Sequence, residues 1–217
     1  MADHPQSRRS VRPASVTSSL RARAAVTLLL LLMSGCAAVA KGPNDAPAGC
    51  DAKRVTIVRH AFVLAERQTQ AALAFLDATP DHAHVRTWFG TTAPAKIRIR
   101  LAQTLERLRP ARHAPWFCGS PESCGNRPIF AIANLTRGTI NLCPMFFNAR
   151  NEGGDSRPGV LVHETSHLAA NTTDIVYGQA AARALALKQP ERAAVNADNY
   201  EYFVEFLPDW AAPPAGR

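Results

Sequence analysis

His163-Glu164-Thr165-Ser166-His167, followed by Leu168-Ala169-Ala170 and then Asn171-Thr172-Thr173-Asp174-Ile175-Val176-Tyr177-Gly178, is the stretch that decides the fold. In a helix, residues four apart share one face about a turn apart, so His163 and His167 can hold one Zn²⁺ between their imidazoles. Glu164 then projects toward the ion's water as a general base. The apolar run Gly159-Val160-Leu161-Val162 leads into the site and Leu168-Ala169-Ala170 keeps it helical. A catalytic zinc takes a third protein ligand and leaves a fourth position open. Asn171 and the two threonines can break the helix, which puts Asp174 at a turn able to fold its carboxylate back onto the metal. Three donors can be named, whereas a structural zinc is usually closed by four.

Downstream, helical spacing continues over 174–188 and 191–206, before a proline-containing tail at 207–217. The second of these segments holds Asn196-Ala197-Asp198-Asn199-Tyr200-Glu201-Tyr202-Phe203. Asp198 and Glu201, three apart, are neighbours on a helix surface and repel each other unless a cation sits between them. An acidic solvated face, or an Asp198 that orients a zinc-bound histidine, is the alternative. Upstream, 151–158 is a loop, and 129–135 and 139–143 are short strands joined at Arg137-Gly138 as a hairpin. The 139–143 strand can present an edge to an extended peptide. Two amphipathic helices precede the hairpin, over 53–77 and over 94–108, the second opened by Pro94 and stopped by Pro110. His60, His82, His84 and His113 lack a carboxylate cluster and are read as surface residues.

With 217 residues, 47% of them hydrophobic, the chain can bury one good core and hardly two. Of the net charge of +8, half belongs to residues 1–35, where five arginines stand against one aspartate. The remainder gives no ground for a nucleic-acid partner. Those arginines precede the apolar run Ala25–Met33, which has the length of a secretory signal and is too short to span a bilayer. Residues 1–35 are therefore read as a signal peptide, 36–49 as a tether and 50–217 as the folded domain. Leu32-Met33-Ser34-Gly35-Cys36 fits a lipoprotein signal in which Cys36 carries the lipid; Ala38-Val39-Ala40 fits ordinary signal cleavage. The first reading leaves an even set, Cys50, Cys118, Cys124 and Cys143, for disulfides in an oxidising compartment. Membrane contact is then limited to the lipid anchor, and the protein is an envelope lipoprotein or secreted.

At the zinc motif the chain resembles the aspzincin (deuterolysin) metallopeptidases, whose hallmark is H-E-x-x-H followed by G-T-x-D-x-x-Y-G. Asn171 stands where the family commonly has Gly, and Asn also tolerates a left-handed backbone. The resemblance implies one Zn²⁺ per chain held by His163, His167 and Asp174, with Glu164 as base and Tyr177 as donor to the oxyanion. The 196–203 stretch resembles the peptidyl-Lys metalloendopeptidase branch, which implies that Asp198 and Glu201 bind a substrate lysine. It further implies the bridges Cys50 to Cys118 and Cys124 to Cys143. The implied fold is α+β and helix-rich, with a small antiparallel sheet above the active-site helix and a cleft facing the C-terminal helices. The implied activity is exported endoproteolysis of protein or peptide substrates at X-Lys bonds. A broad-specificity protease and a non-catalytic zinc lipoprotein that binds a partner are the alternatives.

Overall fold

The computed structural model describes residues 47–210. The expected signal peptide, Cys36, most of the tether and the end of the tail lie outside the described residues. The Asp51 carboxylate accepts from the Arg54 N–H (2.7 Å) and caps α1 (Ala52–Ala78). Next come α2 (Ala83–Phe89) and α3 (Pro94–Leu108), then β1 (Trp116–Cys118), β2 (Ala131–Asn134) and β3 (Thr139–Leu142). The short α4 (Pro144–Asn148), the central α5 (Arg157–Ala170), α6 (Gln179–Lys188), α7 (Pro190–Ala193) and α8 (Ala197–Glu205) complete the order. Among the described residues no helix is long and apolar enough to cross a membrane.

Helix α5 is packed by α1, α3 and α8 through Val58, Phe62, Ile97, Leu101, Leu161 and Phe203, all essentially without exposure. Each such burial contributes roughly 1.5–3 kcal/mol. A solvent-screened ion pair such as Arg98–Asp77 adds little beside that, so apolar packing holds the helical layer. The described lysines all stand within helices: Lys53 and Lys96 near the starts of α1 and α3, and Lys188 closing α6. In the whole chain there are four lysines and 21 arginines.

The sheet is mixed, with order β1-β3-β2, rather than wholly antiparallel. The expected hairpin is there: β2 and β3 pair antiparallel, Ala133 opposite Ile140. The third strand pairs parallel to β3, Phe117 opposite Asn141, because its connection to β3 is not a turn but a long excursion that contains β2. Disulfides Cys50–Cys118 and Cys124–Cys143 tie β1 to the start of α1 and the excursion to the end of β3. Such cross-links restrict the unfolded chain, the wider one by about 4 kcal/mol.

Helix α2 lies where the sequence suggested only surface histidines. The His82 ring caps it by accepting from the His84 N–H (3.0 Å). His84 is half-buried, stacks on Phe203 and donates from Nε2 to the Phe203 carbonyl (2.8 Å). His113 is likewise half-buried, stacked on Phe62 at 4.1 Å, and His60 is half-buried in α1. Two further boundaries move. The expected 174–188 helix starts only at Gln179, and the expected 191–206 helix divides into α7 and α8. Both changes trace to Asn196, whose side chain accepts from the backbone N–H groups of Ile175 (2.8 Å) and Val176 (3.2 Å). Residues 172–177 are thereby kept out of a helix, and Thr173 pairs with Asn196 as an isolated bridge.

The N-terminus of α5 is pinned to α8. Ser156 caps it, accepting from the Gly159 N–H (3.1 Å), while the Ser156 N–H and hydroxyl both donate to Glu205 Oε1 (2.7 Å each). Gly159 is required here because a Cβ at that position would collide with Glu205 Oε1. Gly159→Ala should therefore destabilise the protein by roughly 1–3 kcal/mol, read from urea unfolding. An unchanged midpoint would mean that Glu205 is free to move aside.

Candidate active site

Three acids on α8, Asp198, Glu201 and Glu205, are all more than nine-tenths buried. Their spacing of three and four puts them on the face that meets α5. A buried carboxylate is costly unless partnered, so each partner is informative. Glu205 serves the helix cap. The other two converge on His163, whose Nδ1 lies 3.0 Å from both Asp198 Oδ1 and Glu201 Oε2. Asp198 Oδ2 also accepts from the Gly178 N–H (2.6 Å), tying α8 to the end of the 171–178 segment.

That segment turns Asp174 back onto α5. Asn171 ends the helix in left-handed backbone (φ 54°), and the backbones at Asn171 and Thr172 close onto the Ser166 carbonyl. Asp174 Oδ1 then lies 3.0 Å from His163 Nε2 and 3.1 Å from His167 Nε2. The remaining ring nitrogen of His167 donates to the Thr172 carbonyl (2.9 Å). Thr172 is itself hydrogen-bonded to the Ser166 hydroxyl (2.6 Å). In both imidazoles Nδ1 faces an acceptor, which leaves the two Nε2 atoms directed at one point beside Asp174. Two nitrogens and one carboxylate oxygen, all within 4.8 Å of one another, are the donor set of a catalytic zinc. The residues fit that ion.

Around this point lies a cleft of about 660 Å³, walled by β2 on one side and by α5, α8 and the 174–178 segment on the other. The expected Glu164, Tyr177, Asp198 and Glu201 all line it together with the three donors. The Tyr177 ring lies nearly parallel to that of His163, 6.5 Å away, and is 68% exposed. Burial and the neighbouring Asp174 push its hydroxyl up to about 12. Burial also raises the Glu164 carboxyl, against the pull of the two imidazoles. Burial opposes charge on His163 and His167, yet the hydrogen bonds to Asp174, and on His163 those to Asp198 and Glu201, raise both above the ordinary value. Glu201 Oε1 is buried and has no hydrogen-bond partner. Asp155 and Tyr202 also line the cleft and escaped the sequence reading, which assigned 151–158 to a loop. The signal for Asp155 was its place just before a Ser cap and a helix.

The family model described as "Lysine-specific metallo-endopeptidase" matches residues 74–205. The chain is a member of the aspzincin family of zinc metallo-endopeptidases. It is 34% identical over 185 residues to a peptidyl-Lys metalloendopeptidase of Armillaria mellea, covering 81% of this chain and 52% of that protein. It is 51% identical over 136 residues to an extracellular protease of Aeromonas hydrophila, covering 59% of this chain and 37% of that one. This aspzincin thus spans about half the length of the first relative and less of the second. A solved zinc peptidase from Grifola frondosa superposes with a TM-score of 0.64 at 30% identity, covering 74% of this chain and 99% of that structure.

The carboxyls give a pH prediction. Burial, reinforced by Glu201, pushes Glu205 up to about 9, and burial leaves Glu201 at about 7 despite the pull of His163. A carboxyl raised in the folded state favours folding at low pH, and that advantage is lost as pH climbs from its ordinary value to the raised one. The raised imidazoles act in the same direction above their ordinary value. Burial lowers His84 and His113 and opposes this only below their ordinary value of 6.5, so the Tm of metal-stripped protein should fall between about pH 6.5 and 9, and Glu205→Gln, which keeps the acceptor for Ser156, should flatten the alkaline part. Melts across that range with a chelator present test this, and a Tm that rose with pH would contradict it.

Proposed function

We propose that this aspzincin is an exported zinc endopeptidase that hydrolyses the bond on the N-terminal side of lysine. The observation that carries the chemistry is the convergence of His163 Nε2, His167 Nε2 and Asp174 Oδ1 beside Glu164 in a cleft. What favours lysine is Glu201 Oε1, a buried acceptor without a donor in a cleft that also holds Asp198. The name of the Armillaria relative supports the same reading, and that of the Aeromonas relative supports an exported protease.

Zn²⁺ bound by His163, His167 and Asp174 would polarise the scissile carbonyl and acidify water. Glu164 takes the proton of the attacking water and hands it to the leaving amine, a role suited by a carboxyl raised toward neutrality. The exposed Tyr177 hydroxyl remains protonated at physiological pH and donates to the developing oxyanion. The substrate backbone adds to the free edge of β2, not to β3 as the sequence suggested, because β3 is flanked by β1 and β2 on its two sides. Thr172, Asp198 and Glu201 hold the imidazoles in the tautomer that keeps Nε2 available.

Export is supported by the two disulfides and by the apolar run before Cys36. Pairing of the other four cysteines leaves Cys36 free for the lipid of an envelope lipoprotein. A broad-specificity protease is the second reading, favoured by the hydrogen bonds that already engage Asp198.

Glu164→Gln should lower turnover by about 10²–10⁴-fold with zinc content unchanged. Tyr177→Phe should lower kcat by about 10²-fold. Digestion of a denatured protein mixture, reading the new N-termini by mass spectrometry, tests both activity and preference. Mostly Lys N-termini, absent with chelator, are expected. Scattered N-termini would support broad specificity, and no cleavage by folded, zinc-loaded protein would point to a partner-binding lipoprotein.

A further inference from the structure

Ser166 and Thr172 are 0% and 3% exposed, and neither lines the cleft. A buried hydroxyl is costly unless hydrogen-bonded, and each has a single proton to donate. Their contacts run in one direction. The Ser166 hydroxyl donates to the His163 carbonyl (2.7 Å), which can only accept. Its one proton is thereby spent, so across the 2.6 Å contact between the two hydroxyls Thr172 is the donor. Thr172 Oγ1 then has no proton left for His167 Nδ1, 3.2 Å away, and can only accept from it. The Thr172 carbonyl, 2.9 Å from the same nitrogen, accepts as well. The chain of hydrogen bonds therefore leaves the His167 proton on Nδ1 and the lone pair on Nε2, the nitrogen 3.1 Å from Asp174 Oδ1.

Ser166 also holds the turn that follows. Its carbonyl accepts from the N–H groups of Asn171 and Thr172. Carbonyl and hydroxyl of one residue thus both grip the chain two residues before Asp174. The adjacent Thr165 hydroxyl is buried as well but has no hydrogen-bond partner.

We propose that Ser166 and Thr172 are positioning residues for the metal: their hydroxyls form a one-way relay from the His167 ring to the His163 carbonyl that keeps His167 Nε2 available and fixes the turn carrying Asp174. The assignment rests on the reading of His163, His167 and Asp174 as the zinc donors. Ser166 acts only through Thr172. Without the Ser166 hydroxyl, the Thr172 proton is released to compete for His167 Nδ1, and donation there would put the ring proton on Nε2, in the metal's place.

The test measures zinc affinity of the full chain by competition with a chromophoric chelator, beside the Tm of the metal-free protein. Ser166→Ala should weaken zinc binding about tenfold. Thr172→Val keeps the shape and the carbonyl but removes the hydroxyl, and should weaken it about as much. Because the two hydroxyls act in series, the double variant should also lose about tenfold rather than the product of the two effects. Thr172→Ser restores the hydroxyl and should restore most of the affinity. Thr165→Val removes a buried hydroxyl outside the relay and should leave zinc binding unchanged, whatever it does to the Tm. Multiplying effects in the double variant, or a Ser166→Ala protein that binds zinc like the wild type, would overturn the relay. So would a loss in Thr165→Val equal to that in Ser166→Ala, which would reduce both to packing. Should Ser166→Ala not fold, Thr172→Val and Thr172→Ser decide, and equal affinities in those two would overturn it. Failure of the underlying reading looks different. Wild-type protein that binds no zinc, or that keeps it in His167→Ala, would remove the donor set and the relay together.

Discussion

The cleft is organised around one imidazole. His163 faces Asp174 through one nitrogen and Asp198 and Glu201 through the other, so a single buried ring joins the metal donors to the acidic wall. Asp198 and Glu201 would each be expensive to bury alone. Shared on one ring, they make a site whose negative charge exceeds what the protein itself neutralises. A divalent ion on one side of the ring and, under the proposed preference for lysine, a cationic side chain on the other are the natural complements.

Holding that ring still is the task of the surrounding fold. Helix α5 carries it, packed on three sides by α1, α3 and α8. At one end Glu205 grips the Ser156 cap through a gap that only glycine leaves at 159. At the other, Asn171 turns the chain into the segment that Asn196 and Asp198 clip to α8. The same three-residue span of α8 thus positions the third metal donor and the imidazole it approaches. Distances near 3 Å follow from both ends of α5 being anchored on the same partner.

Much of this was legible in the sequence, and the misses have physical causes. The helix over 159–170, the closeness of His163, His167 and Asp174, the 94–108 helix and the hairpin are local signals: four-residue spacing, proline at a first turn, glycine at a reversal. What failed was non-local. Residues 174–178 carry a helical apolar pattern, yet the bridge of Thr173 to Asn196 and the Asn196 and Asp198 side chains, which accept from Ile175, Val176 and Gly178, bind this segment to the start of α8 instead. Trp116–Cys118 is three residues long and pairs with a strand more than 20 residues later, too short a run to show alternation. His84 reads as polar in a polar stretch, and only the fold supplies Phe203 as its stacking partner. Asp155 is an ordinary loop acid until Tyr202 arrives from α8.

The placement of the lysines bears on the enzyme's coexistence with itself. Under the proposed preference for lysine, the chain offers few bonds to its own kind: four lysines among 217 residues, with arginine filling the other basic positions. The three that are described lie in helices, where the backbone is already committed to its own hydrogen bonds and cannot align along β2. Under the proposed preference, the described part of a folded copy would offer a neighbouring molecule no lysine in extended backbone, and the most vulnerable copy would be one that has unfolded.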